Sequence, residues 1–145
     1  FELGLGFLFL SWSWGFLSLG QVILITTGLT LGIYDFRHQE YPLLVWIVFH
    51  LLLMAFCGWN LVMVFFIVLG IMAHFIDIRI GAGDFLFLSS CALVFSVTEL
   101  LILIQFASAT GILAFLLQKK KERLPFVPFL LLAACVIIFG KLLLV

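Results

Sequence analysis

The sequence predicts an all-α fold: a polytopic bundle of membrane helices with about seven segments in this chain. Three observations predict it. Hydrophobic residues make up 66% of the chain and charged residues 10%, whereas a soluble domain is roughly half apolar and about 25% charged. Mean hydropathy is +1.41. The apolar stretches approach the length of a spanning helix, roughly 17 to 25 residues. Too little polar surface exists to cover a core in water, so lipid is the expected solvent.

The same composition excludes several function classes. Net charge is zero. The one basic cluster, Lys119, Lys120, Lys121 and Arg123, is too small for a nucleic-acid surface, so no direct nucleic-acid partner is expected. Cys57, Cys91 and Cys135 are far apart and form no CxxC pair. Neither a disulfide framework nor a zinc site is expected from them. The chain opens on Phe1 rather than Met, so we expect a single membrane-embedded domain over 1–145 that lacks an N-terminal part.

The elements follow in order. Phe1 to about Trp14 reads as a truncated first segment, and Ser11-Trp12-Ser13-Trp14-Gly15 as an interfacial turn, since tryptophan favours the headgroup level. A second helix runs from about Leu19 to Asp35, followed by a polar loop of Arg37, His38, Gln39 and Glu40. Pro42 suits the first turn of a third helix ending near Phe56. Cys57-Gly58 is a tight turn, and Trp59 begins a fourth helix reaching about Ile78.

Gly81-Ala82-Gly83 leads into a fifth helix, about Asp84 to Val97, too short for a full span. A thinned membrane or shielding by neighbours is expected there. Thr98 or Glu99 opens a sixth helix to about Gln118, and Pro125 starts a seventh to about Leu144. Very short loops predict antiparallel contact between helices two and three, four and five, and five and six.

Charge predicts orientation. Alternating helices place the loops at Arg37, Arg79 and Lys119 to Arg123 on one side, with six of the seven Lys and Arg residues. The positive-inside rule makes that side cytoplasmic. Asp35 and Asp84 fall on it, at comparable depth.

An ionisable group at a membrane helix end is costly unless it is used or paired. Two neighbouring carboxyls do not both ionise easily near neutral pH. One can take a proton from water while the other donates to a peptide carbonyl, and no serine or cysteine nucleophile is needed. The plainer role for Asp84 is a helix N-cap; for Asp35 it is an interfacial charge paired with Arg37. Asp77 and Arg79 read as an interfacial pair, and His38, His50 and His74 as packing residues without ligand spacing. The eighteen phenylalanines and four tryptophans read as packing or lipid-facing.

Tyr34-Asp35 together with Gly81-Ala82-Gly83-Asp84 resembles the GxGD class of intramembrane aspartic proteases. Within it the chain is similar to the bacterial type IV prepilin peptidases. Asp35-Phe36-Arg37-His38-Gln39-Glu40-Tyr41-Pro42-Leu43 resembles their D-x-R-x-x-x-I-P-N motif, and Pro125-Phe126-Val127-Pro128-Phe129 their P-F-G-P-F motif. Glu2 and Gly6 resemble an E-x-x-x-G pattern. The resemblance spans essentially the whole chain, and the sequence is close to that of the streptococcal competence-pseudopilin peptidases. Departures are Leu86 where the family often has Lys, Tyr41 for Ile, Leu43 for Asn and Val127 for Gly.

The resemblance implies an aspartic endopeptidase of the bacterial cell membrane, multi-pass, with its site at the cytoplasmic side. It would cut the leader from pilin-like or pseudopilin precursors, whose hydrophobic helix lies in lipid. Asp35 and Asp84 would activate water. Gly81 and Gly83 would let backbone approach the substrate; Arg37, Pro42, Pro125, Phe126 and Pro128 would shape the site. Cleavage needs neither metal nor cofactor. The family's cysteine-rich loop, associated with S-adenosylmethionine-dependent N-methylation, is not in these residues, so methyl transfer is expected only of an intact protein. Two alternatives stay open: a GxGD protease of the presenilin or signal-peptide-peptidase type, and a small proton-coupled transporter whose acids carry protons.

Overall fold

A computed structural model of the chain describes residues 6, 10–13, 15, 17–38, 41–76, 81–117 and 125–144. Among them every regular element is helical. A helical turn at 10–13 precedes α1 (Leu19–His38), α2 (Leu43–Cys57), α3 (Leu61–Phe75), α4 (Ala82–Val94), α5 (Val97–Leu117) and α6 (Val127–Leu144). Most of the expected first segment, the Asp77–Arg79 pair, Gln39, Glu40 and the Lys119 to Arg123 loop lie outside the described residues.

Local chemistry sets the boundaries. Ser18 and Gln21 form a reciprocal capping box before α1: the Ser18 N–H donates to Gln21 Oε1 at 2.9 Å, and the Gln21 N–H to Ser18 Oγ at 3.3 Å. Ser96 and Glu99 repeat the device before α5, at 2.9 and 3.4 Å. Asn60 caps α3, its side chain accepting from the Met63 N–H at 2.7 Å. Pro42 is the residue before α2, as its fixed φ suits. Gly58 ends α2 with φ +79°, a conformation that side chains resist. The expected turn at Cys57-Gly58 is therefore present.

Two boundaries differ from expectation and matter for the site. α1 does not stop at Asp35 but continues to His38, so Asp35 stands within its last turn. α4 begins at Ala82 with Gly81 as its cap, so Asp84 is the third helical residue and not the N-cap.

All three antiparallel pairs expected from short loops are in contact: α1 with α2, α3 with α4, and α4 with α5. The short helix α4 is central. It touches each of the other five helices, and Leu86 through Ala92 are all buried. Its 13 residues are enclosed by the neighbouring helices.

Polar side chains brace α4 from within. Trp46 Nε1 donates to the Leu86 carbonyl at 2.9 Å and to Ser90 Oγ at 3.1 Å. His50 stacks on Trp46 at 4.6 Å and shares a 2.9 Å hydrogen bond between Nδ1 and Ser90 Oγ. Asn60 Nδ2 donates to the Ala92 carbonyl at 2.6 Å. Lys141 at the end of α6 pairs with Glu99 at the start of α5, fixing those two helices antiparallel.

The core is apolar, built on residues such as Leu24, Leu31, Phe87, Leu103, Leu130 and Ile138, with a few polar groups enclosed in it and many large apolar side chains left outside. Thr27, His50, Ser89 and Ser90 are buried, whereas Leu44, Leu61 and Phe75 are 79%, 78% and 81% exposed. By length and composition, α5 is the one helix among the described residues able to cross a membrane, with shorter apolar stretches in the other five. A 15-residue helix such as α2 or α3 rises about 22 Å, short of the roughly 30 Å of a hydrocarbon core.

Candidate active site

The site is built at the end of the bundle where α1 finishes and α4 and α6 begin. Asp84 is held by its own helix start. Its backbone N–H donates to the Gly81 carbonyl at 3.1 Å, and its carboxyl accepts from the Gly81 N–H. This is half of a capping box, with an acid at the third helical position reaching back to the cap. A Cβ on Gly81 would sit 3.2 Å from Asp84 Oδ2, so glycine leaves that carboxyl room to fold back.

Asp35 is held by a different helix. Its carboxyl accepts from the Val127 N–H, at the first residue of α6. The first N–H groups of a helix have no partner in their own helix, and the helix pole there favours an acceptor. The two carboxyls lie within electrostatic reach of each other. Residues far apart in the chain are thereby brought to one centre.

The Pro125 to Phe129 stretch serves as a three-way joint. Pro128 packs on Gly32 of α1, one turn before Asp35; an added Cβ there would meet the proline at 3.8 Å. Phe126 seats on Gly111 of α5, where a Cβ would meet its ring at 3.3 Å, and lies 6.5 Å from Phe129. Pro125 leads into this joint half-buried.

Gly83 has a partner other than the expected one. Its bare Cα faces the Tyr41 ring, and an added Cβ would stand 2.6 Å from Tyr41 Cγ. The space expected for substrate backbone at this glycine is taken by Tyr41. Pro42 fixes the chain just after it.

Arg37 is exposed and makes no ion pair with Asp35 among the described residues. Two residues apart on a continuing helix, they point to different faces. His74 is exposed with its ring edge against Phe75 at 5.6 Å. Cys57, Cys91 and Cys135 are free. Among the described residues no three His, Cys, Asp or Glu side chains gather as a metal site would require.

Sequence reasoning missed two members of this centre. The Val127 contact is made by backbone, and the valine stands where the resembled motif has glycine. Tyr41 stood out as a departure from that motif, which was the available signal. Chemically, the arrangement offers two carboxyls at one end of the bundle, each anchored by a backbone N–H from a helix start. No family model, curated protein or solved structure matches the chain.

Proposed function

We propose that this chain is the catalytic core of a multi-pass membrane aspartic endopeptidase of the GxGD class, prepilin-peptidase type. Its substrates would be pilin-like or pseudopilin precursors cut at the cytoplasmic face. The observation that carries this reading is the placement of Asp35 and Asp84 at one bundle end, within electrostatic reach, with a backbone anchor on each. The many large apolar side chains left exposed support lipid as the solvent.

In the proposed reaction one carboxylate takes a proton from water as the water oxygen bonds to the peptide carbonyl carbon. The partner carboxylic acid gives its proton to the carbonyl oxygen, forming a gem-diol. Collapse breaks the C–N bond, and the nitrogen leaves with a proton returned from the pair. Both proton transfers are supplied by the two acids, so cleavage is written without metal or cofactor. We assign no residue of this chain to methyl transfer.

The test is direct. Purified full-length protein, incubated with pilin-like precursors and read by mass, is expected to release the leader at one bond. Proteoliposomes of the same protein are expected to show no proton flux. Flux without cleavage would replace this reading with the transporter alternative.

A further inference from the structure

Tyr41 is the one described side chain at the aspartate centre whose polar atom is both enclosed and unused. Its hydroxyl is buried and has no hydrogen-bond partner. Buried polar groups are nearly always bonded, and an orphan calls for an explanation. Packing alone does not require this oxygen: phenylalanine would fill the same space against Gly83.

The location is specific. The ring crosses the Cα of Gly83, the residue before Asp84, and Pro42 locks the backbone immediately after it. The electrostatic neighbours of the phenol are Cys91, Asp84 and Asp35. Burial, with smaller effects from those three, pushes the phenol above its ordinary range. The group is therefore a neutral O–H donor at any working pH. A fixed donor without an acceptor, on a ring packed over the glycine that precedes Asp84, matches a site that meets its acceptor only when a substrate arrives.

We propose that the Tyr41 hydroxyl donates a hydrogen bond to the scissile carbonyl oxygen, stabilising the charge that gathers there as water adds. This rests on the endopeptidase reading and adds a third group to its centre. The hydroxyl keeps its proton throughout; proton transfer stays with Asp35 and Asp84. Glycine at 83 is then required so that the ring can reach its place.

Tyr41→Phe in the full-length protein tests this, with a pilin-like precursor as substrate. A lost oxyanion donor lowers kcat on the order of 10²-fold. KM is expected to change little, and the melting temperature in detergent to hold or rise, because an unsatisfied buried hydroxyl has been removed. Wild-type kcat in Tyr41→Phe would overturn the proposal and leave the endopeptidase reading intact. A lower melting temperature with kcat and KM impaired together would also overturn it, in favour of a packing role. No precursor cleavage by the wild type would overturn both.

Discussion

The Asp35 carboxyl accepts a hydrogen bond from the Val127 backbone N–H, tying the last turn of α1 to the first turn of α6. The donor is a main-chain group, so proline is the substitution that removes it. Proline is well tolerated as the first helical residue, where Val127 stands. Val127→Pro is expected to lower kcat/KM about tenfold, the usual scale for a hydrogen bond to a charged group. Val127→Ala keeps the N–H and loses buried volume; it is expected to cost about 1–3 kcal/mol of stability with kcat/KM retained. Equal activity in Val127→Pro and wild type would show that the contact does not serve catalysis.

Asp35→Asn and Asp84→Asn are each expected to abolish measurable cleavage. Acid–base groups contribute roughly 10²–10⁴-fold, and each acid here has a separate task. Asn keeps the shape and removes the ionisable group, so insertion into membranes should not change. Arg37→Gln is expected to retain activity, since Arg37 forms no ion pair with Asp35. Full cleavage by either aspartate variant would end the dyad assignment.

Gly83 and Tyr41 are expected to be coupled. Gly83→Ala drives a Cβ into the Tyr41 ring and should destabilise by about 1–3 kcal/mol. In a Tyr41→Ala background the same change should cost far less, since alanine is otherwise well suited to a helix. A thermal-melting double-mutant cycle reads the difference. Additive effects would mean that the two residues are independent.

Ser90→Ala strips a partner from both Trp46 and His50 inside the bundle. The expected result is a loss of about 1–3 kcal/mol with kcat/KM unchanged, because these groups brace α4 below the aspartates. A selective fall in kcat with normal melting would place Ser90 in the chemistry instead.

Much of this centre was legible because its chemistry needs particular letters. Acids between apolar stretches stand out, so Asp35 and Asp84 are readable, and short loops predict which helices pair. Ser96-x-x-Glu99 marks the start of α5 at Val97, just before the Thr98 or Glu99 that the apolar run predicts. No side-chain cap marks the start of α4 at Ala82, and the apolar run ends before α1 does, at His38. The Val127 contact was not legible. Any residue except proline supplies a backbone N–H, so such a bond leaves no signature beyond an excluded letter. Tyr41 over Gly83 depends on how two distant segments pack, which no local pattern encodes.

The central position of α4 has a mechanical consequence. It touches each of the other five described helices, and Asp84 sits on its first turn. Asp35 hangs between α1 and α6, which also touch α4. Moving any of the five described neighbours relative to α4 loads the axle on which one acid rides. Cross-links that stiffen the outer helices should therefore slow the centre from a distance.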